Sequence, residues 1–410
     1  MSPASPSPAE DGGPEHPPFA AAEAPLWSPT FVQLLVAQAL FGFAYATFLL
    51  LPKLLAVGYG AKARDIGFVM ASFGVVSLVS IPMVAPVVSR LGRRRALVLA
   101  NLLLGASATA FVTIDHAGFA AALLRGLQGV AWSLFFASGN ALVADAAPPA
   151  RLGQAIGLFG GASLAMNAIA PAVAEPIAAA LGPRPVFVLA GVVALAGAWY
   201  CRRLPVGIAA AGSAVPANDF GQVARARAPV FSVLAAGALA AAAMFTFVAP
   251  FALSYGIPAV RDFFIAYTCA ALGVRLTGAR VTDRAGHRLT ALAGGCAYGV
   301  VVALMGALGP GRLAVVGAAF GVAHGIVFPA LMALILGGVS SDARPRLLAL
   351  ANGAMNLGII GLGPLGAAAE RLGYPPVFVA TGALTFASAL LLLLPQRMPP
   401  RRSAASGPST

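Results

Sequence analysis

An arginine and a glutamine stand three residues apart inside an apolar stretch, Leu123–Trp132, which reads LLRGLQGVAW. On a helix, Arg125 and Gln128 share one face, and Trp132 lies a turn further along it. An ionisable side chain inside an apolar helix is costly and usually faces a cavity or a partner. The pattern therefore predicts a site that binds an anionic group or sets the pKa of a partner. The alternative is an arginine near enough to the helix end for its head to reach the polar interface.

Three further polar side chains lie inside apolar stretches and could contact a solute or carry a proton: Glu175, Arg275 and His324. A carboxylate in such surroundings suits proton carriage, and an imidazole titrates near physiological pH. The alternatives are that Glu175 and Arg275 reach the polar interface at the ends of their helices, and that His324 is a packed, hydrogen-bonded side chain.

The chain as a whole is too apolar for a soluble domain. Of its 410 residues, 59% are hydrophobic and 10% are charged, whereas soluble domains carry about 25% charged residues. Lipid is the solvent that accommodates so much apolar surface, so the bilayer is an expected partner. The net charge of +13 is attributed to basic loops that orient the chain, and no nucleic-acid partner is expected.

Apolar runs of about 20 residues can cross the hydrocarbon core as helices. Arginine is concentrated in the even-numbered loops and the C-terminal segment, which predicts that both termini are cytoplasmic. The sequence thus predicts an all-α membrane protein with twelve transmembrane helices. These predicted spans are 31–52, 66–88, 96–113, 119–143, 155–178, 185–201, 229–252, 263–279, 289–308, 313–337, 346–368 and 376–395.

The longest internal hydrophilic stretch, 202–228, divides the predicted spans six and six. It is interpreted as a cytoplasmic linker between an N-terminal bundle, 31–201, and a C-terminal bundle, 229–395. Residues 1–30 are predicted to form a disordered cytoplasmic tail, and residues 396–410 a C-terminal cytoplasmic tail.

The two halves repeat each other in sequence. Residues 181–191 read LGPRPVFVLAG and residues 372–382 read LGYPPVFVATG, with seven of eleven positions identical. Residues 89–95 (SRLGRRR) and 283–289 (DRAGHRL) show a second match at nearly the same offset. A parallel repeat of six spans predicts two pseudo-symmetric six-helix bundles related by an axis along the membrane normal.

These features resemble the major facilitator superfamily over about residues 31–395. The family motif between spans two and three reads Gly, three residues, Asp, Arg, any residue, Gly, then basic residues. This chain keeps Arg90, Gly92, Arg93 and Arg94 but has Ser89 in place of the acid. Ser89 can still cap a helix but supplies no charge.

The second half keeps the missing acid, with Asp283, Arg284, Gly286 and Arg288 fitting the same motif. The resemblance implies that the two loops hold the outward-facing state closed at the cytoplasmic side. The alternative is a pair of basic loops with no conformational role.

Two more stretches carry the resemblance. In span four, Arg125 and Gln128 match the family pattern, which implies proton coupling or substrate binding. In span five, the motif of the family's drug–proton antiporters is partly kept, and span eleven has a Gly-Pro pair of similar character. The residues concerned, interpreted as helix-packing positions, are Gly157, Ala170, Pro171, Ala174, Gly363 and Pro364.

The resemblance implies a central cavity that is exposed to each side of the membrane in turn. The expected function is secondary active transport, with proton-coupled efflux of a small organic compound across a bacterial inner (plasma) membrane. The alternatives are an uptake permease for a sugar or organic acid, and a transporter-like sensor that moves nothing. Catalytic residues, cofactors and metal ions are not expected, the chain is not expected to be an enzyme, and a monomer is the expected state.

Overall fold

The computed structural model describes residues 26–148, 151–205, 220–277, 286–337, 339 and 344–394. Within these ranges the chain is helical and contains no strand. The helices are α1 (Pro29–Thr47), α2 (Leu51–Tyr59), α3 (Ala63–Leu91), α4 (Arg93–Ala110), α5 (Phe119–Ala146), α6 (Leu152–Leu181), α7 (Pro183–Cys201), α8 (Phe220–Ala226), α9 (Ala228–Ser254), α10 (Arg261–Thr277), α11 (His287–Leu308), α12 (Leu313–Leu336), α13 (Arg344–Ile360), α14 (Leu362–Leu372) and α15 (Tyr374–Leu390).

Eleven helical segments of the described chain are long and apolar enough to cross a membrane. They confirm an all-α membrane protein. Helix α10 occupies the place of the predicted eighth span, but it has 17 residues and its end borders residues outside the described ranges. The full count of twelve therefore stays a prediction. The predicted tails, apart from residues 26–30, and most of the predicted linker also lie outside the described residues.

The helices pack in the same order in both parts of the chain. In the first part α3 packs on α5 and α4 on α7; in the second part α10 packs on α12 and α11 on α15. These pairs occupy equivalent places in the two predicted repeats. We call α1–α7 the first half and α9–α15 the second half.

Turns at equivalent places in the two halves require glycine. Gly92 and Gly286 have φ angles of 79° and 80°, and Gly182 and Gly373 have φ angles of 82° and 84°. Their ψ angles are all extended, a combination that is essentially restricted to glycine. All four lie in the repeated sequence segments, so the repeat extends to the backbone conformation.

Prolines interrupt the first and eleventh spans. A short 3₁₀ turn, Phe48–Leu50, separates α1 from α2 just before Pro52. A break at Gly361 separates α13 from α14 just before Pro364. Proline supplies no N–H and its ring clashes with the carbonyl four residues earlier, which accounts for both breaks.

The two halves contact each other through α3 against α13 and α14, through α6 against α10, and through α2 against α9. We call the end of the molecule that contains Lys53 the Lys53 end, and the opposite end the Gly92 end. In α3 the buried residues run from Ala63 to Ser77, and only Val84 is buried beyond them. The halves therefore meet at the Lys53 end and separate toward the Gly92 end.

Glycines allow the closest approach between the halves. A Cβ added to Gly366 of α14 would lie 2.5 Å from the carbonyl oxygen of Ala63 and 2.9 Å from the Cα of Gly67. Further along the same seam, a Cβ on Gly74 would lie 2.8 Å from the carbonyl oxygen of Asn356. At these points backbone rests directly on backbone, as small residues permit in membrane helices.

Candidate functional site

Arg125 lies on α5 in an aromatic enclosure. Its side chain is buried, with 4% of the residue exposed, and its Nη1 donates to Gln128 Oε1 at 2.6 Å. The guanidinium carbon lies 4.9 Å from the ring centre of Phe73, 5.5 Å from that of Tyr45 and 5.9 Å from that of Phe48. These distances are within the range of cation–π attraction.

Glycines on α5 bring α3 close enough to form this enclosure. A Cβ on Gly129 would lie 2.6 Å from the carbonyl oxygen of Phe73, and a Cβ on Gly126 would lie 2.6 Å from a methyl group of Val76. The sequence Arg-Gly-Leu-Gln-Gly thus places two polar side chains and two contact glycines on adjacent positions of one helix. The close packing of α3 on α5 is what brings Phe73 to Arg125.

Trp132 extends the same enclosure along α5. Its ring centre lies 4.5 Å from that of Tyr45 and 6.2 Å from those of Phe41 and Phe136. Tyr45 and Trp132 are partly exposed, whereas Arg125 and Gln128 are buried. The structure therefore brings together the three residues that the sequence placed on one helix face, with the polar pair deepest.

Glu175 lies elsewhere, in a polar junction between the halves at the Lys53 end. Its Oε1 accepts hydrogen bonds from the Nζ of Lys53 and from the backbone N–H of Val260, the latter at 2.9 Å. Its Oε2 accepts from the backbone N–H of Arg261 at 2.9 Å, and Lys53 also donates to the carbonyl of Pro258. We call these five residues the Lys53 junction.

The residues of the Lys53 junction lie on α2, on α6 and at or just before the start of α10. The break before Pro52 redirects the chain so that Lys53 lies on α2 rather than in a loop. Glu175, on α6, meets the free N–H groups at the start of α10, where a carboxylate is favoured by the helix dipole. The side chains of Lys53 and Glu175 are only 12% and 5% exposed. This buried ion pair lies within the first half, and its hydrogen bonds with Pro258, Val260 and Arg261 link it to the second half.

His324 is enclosed by aromatic rings of the second half. Its Nδ1 is hydrogen-bonded to Tyr267 Oη at 2.7 Å, and its ring stacks on Tyr267 and on Tyr298, with ring centres 5.8 Å and 5.7 Å away. Both tyrosines are 1% exposed. This geometry matches the alternative given for His324, a packed and hydrogen-bonded side chain. Arg275 lies on α10 two turns after Tyr267 and is partly exposed.

The described part of the loop motif in the first half makes contacts within that half. Arg93, at the start of α4, pairs with Asp145 at the end of α5, and Arg94 Nη1 donates to the carbonyl of Leu204, after α7, at 3.3 Å. Ser89 Oγ donates to the carbonyl of Pro86 in its own helix at 2.9 Å and caps no neighbouring helix. Arg90 is exposed.

The second half repeats one of these contacts. Arg288 donates from Nε to the carbonyl of Leu392 and from Nη2 to that of Leu394, each at 2.6 Å. Arg94 and Arg288 thus have equivalent contacts. Each joins the third membrane span of its half, α4 or α11, to the residues at the end of the sixth span, α7 or α15. Asp283 and Arg284 lie outside the described residues, so the predicted role of these loops in holding the halves together stays a prediction.

The predicted helix-packing residues of span five differ in whether they are buried against neighbouring atoms. Ala170, Pro171 and Ala174 of α6 are buried, whereas a Cβ on Gly157 would meet no described atom within 4 Å. Helix α6 packs on α1. In span eleven, a Cβ on Gly363 would lie 3.8 Å from the nearest atom of α3, an ordinary contact.

A family profile described as "Major Facilitator Superfamily" matches residues 34–311 and 263–409. The chain belongs to the Major Facilitator Superfamily. Members of this superfamily are typically non-enzymatic carriers that bind small-molecule substrates and span the membrane many times. A search of curated protein sequences gave no match.

Solved structures share the superfamily fold with this chain. The nucleoside transporter NupG, in a mutant form, is 13% identical with a TM-score of 0.76, and the alignment covers 89% of this chain and 99% of that one. A second NupG structure is 14% identical with a TM-score of 0.70, over 89% and 98% of the two chains. The human organic anion transporter MFSD10 (TETRAN) is 17% identical with a TM-score of 0.65, over 89% and 100%. At these identities the likeness establishes the fold.

Sequence reasoning did not identify Lys53, Tyr45 or Phe73 as members of these sites. The first span is predicted to end at residue 52, which leaves Lys53 outside it, whereas the helical segment runs on to Tyr59. A lone lysine directly after a proline, between apolar residues, was the available signal. Tyr45 and Phe73 had no signal of their own, because aromatic residues are common in apolar helices and only packing identifies the pair beside Arg125.

Proposed function

We propose that this superfamily member is a secondary active transporter that works by alternating access and couples proton entry to the efflux of a small organic compound. The observation that carries the proposal is the asymmetric contact between the halves. They are joined at the Lys53 end by hydrogen bonds between a buried ion pair of the first half and the second half, and they separate at the Gly92 end. A polar site in an aromatic enclosure lies inside the first half.

In the proposed orientation both termini are in the cytoplasm of a bacterial cell and the Gly92 end faces the cytoplasm. The structure then corresponds to an inward-open state. A solute would enter from the Gly92 end and bind at Arg125, Gln128 and Trp132. Closure at the Gly92 end would bring the loops containing Arg90–Arg94 and Asp283–Arg288 toward each other, and the Lys53 junction would have to open.

Glu175 is the proposed coupling residue because its charge holds the junction together. Glu175 pairs with the charged side chain of Lys53 on α2. Arg261, at the start of α10, contacts Glu175 through its backbone N–H, and its own side chain lies 3.9 Å from Asp262. Protonation of Glu175 would remove the negative charge that binds Lys53 and favours the start of α10. A proton arriving from the Lys53 side would therefore weaken the contact between the halves at that side.

The test is an accumulation assay in a host that lacks its own efflux pumps. Dyes, antibiotics and metabolites are followed with and without a protonophore, for wild type, Arg125→Ala, Glu175→Gln and the control Arg64→Ala, which changes an exposed arginine at the start of α3. The proposal is supported if the wild type and Arg64→Ala both lower the accumulation of a compound. The protonophore, Arg125→Ala and Glu175→Gln should each abolish this decrease.

Two other outcomes would replace the proposal. Raised accumulation of a compound would establish uptake. A physiological effect of the gene that survives Arg125→Ala, with no compound moved, would favour the sensor that transports nothing.

A further inference from the structure

The polar atoms left unpaired beside Arg125 are all hydrogen-bond donors. Gln128 Oε1, the acceptor of its amide, is already bonded to Arg125 Nη1. The Nε of Arg125 and the Nε2 of Gln128 are buried and have no hydrogen-bond partner among the described residues. A guanidinium and an amide NH₂ can only donate. The group that completes this site must therefore bring acceptors.

The same place lacks a negative charge. The ion pairs found within the described ranges involve Lys53, Lys62, Arg93, His116 and Arg261, and none of them includes Arg125. A buried cation without a counter-charge is expensive in an apolar medium. The rings of Tyr45, Phe48 and Phe73 attract the guanidinium but carry no net charge. The completing group must therefore be an anion as well as an acceptor.

The exposure of the residues gives the orientation of this anion. Gln128 is fully buried and Arg125 is 4% exposed, while Tyr45 and Trp132 are partly exposed at the edge of the enclosure. An anionic head would thus lie deepest, and the rest of the molecule would lie against aromatic rings. A carboxylate supplies two acceptor oxygens, one for each of the two unpaired donors, Arg125 Nε and Gln128 Nε2.

We infer that Arg125 and Gln128 bind the carboxylate of an organic monoanion whose apolar or aromatic part contacts Tyr45 and Trp132. This inference rests on the proposed function, because it names the class of solute that the same site carries. It also explains why the chain keeps an arginine in a span with no acidic partner among the described residues: the solute itself supplies the counter-charge.

The first experiment compares acids with their uncharged amides on the purified full-length chain in lipid nanodiscs. The probes are benzoate and benzamide, 1-naphthoate and 1-naphthamide, and indole-3-acetate and indole-3-acetamide. The thermal unfolding midpoint and the Kd are measured for each pair. We expect at least one acid to raise the midpoint while its amide does not. Equal effects of acid and amide, or no effect of any acid, would overturn the inference.

Gln128→Glu supplies an internal competitor for the same place. The new carboxylate would receive the hydrogen bond that Arg125 now gives to Gln128 and would neutralise the cation. We expect a higher unfolding midpoint without ligand and at least about tenfold weaker binding of the acid, which is about 1.4 kcal/mol. Gln154→Glu makes the same chemical change at an exposed position of α6 and should leave the Kd unchanged. Undiminished binding in Gln128→Glu would refute the assignment.

A second measurement separates this inference from the proposed function. The acid that binds is labelled, and its movement into proteoliposomes is followed. Binding without movement would support the anion site and contradict the transporter. Movement of a neutral amide by a chain that binds none of the acids would support the transporter and overturn the anion site.

Discussion

Breaking the Lys53 junction should shift the chain toward a state that is open at the Lys53 end. The perturbation is Lys53→Met, which keeps the length and apolar character of the side chain but removes its charge. The bond from Lys53 to the carbonyl of Pro258 crosses between the halves, so its loss destabilises the closed arrangement. The ion pair of Lys53 with Glu175 lies within the first half, so its loss affects the closed and open arrangements alike.

The structure sets the size of this effect. Of the two bonds that Lys53 donates, only the one to the carbonyl of Pro258 crosses between the halves, while Glu175 keeps its two bonds from backbone N–H groups of the second half in the variant. Hydrogen bonds that involve a charged group contribute about 1.5–3 kcal/mol. The ratio of closed to open molecules should therefore fall by about 10- to 100-fold.

The assay measures distances between spin labels on cysteines at Val57, in α2, and Tyr255, directly after α9. Both positions are exposed, at 65% and 62%, and they lie on opposite halves at the Lys53 end. The native cysteines, Cys201, Cys269 and Cys296, are first replaced by alanine. We expect the distance distribution of Lys53→Met to move toward longer distances than that of the wild type.

An exposed ion pair that joins the two halves provides the control. Lys62 Nζ lies 3.8 Å from Glu370 Oε1 at the same end, but its side chain is 74% exposed. Exposed pairs contribute about 0–1 kcal/mol, so Lys62→Met should leave the distances almost unchanged. If Lys62→Met and Lys53→Met behave alike, or if Lys53→Met has no effect in a folded chain, the reasoning from burial is refuted.

Three further predictions concern packing. Gly366→Ala places a methyl group 2.5 Å from a backbone oxygen of α3 and should lengthen the same label distance, whereas Gly363→Ala, with 3.8 Å of room, should not. Arg288→Ala removes two hydrogen bonds to carbonyls after α15 and should lower the unfolding free energy by about 1–3 kcal/mol, as measured by denaturation in detergent. Tyr267→Phe removes the partner of His324 and should lower that free energy by about 1 kcal/mol; an unchanged transport rate would show that the histidine is a packing residue.

Much of the fold could be predicted from the sequence because the physics involved is local. An apolar run of sufficient length must form a helix in lipid, since every backbone polar group needs a partner within the helix. The repeated segments were recognisable because they contain Gly92, Gly286, Gly182 and Gly373, whose backbone angles exclude other residues. The same backbone requirement applies in both halves, so these glycines match even where the neighbouring side chains differ.

The candidate sites were less predictable because their partners are far apart in sequence. Lys53 and Glu175 are 122 positions apart, and nothing in either segment identifies the other. Glu175 was recognised as an unusual acid, but its contact with the start of α10 depends on how the two halves meet. Arg125 and Gln128 were recognised together because they share one helix face; their aromatic neighbours on α1 and α3 required the packed bundle.

The glycine seam between α3 and α14 has a consequence for the speed of movement. Ordering a long side chain costs up to about 2 kcal/mol in conformational entropy, but at Gly67 and Gly366 the helices meet through backbone alone. Separating and rejoining them there requires no side chain to leave one rotamer and find another. The seam between α6 and α10, in contrast, is held by hydrogen bonds from the backbone N–H groups of Val260 and Arg261 to the charged side chain of Glu175. We expect this second seam to present the main kinetic barrier, so that one chemical event at Glu175 sets the pace for both.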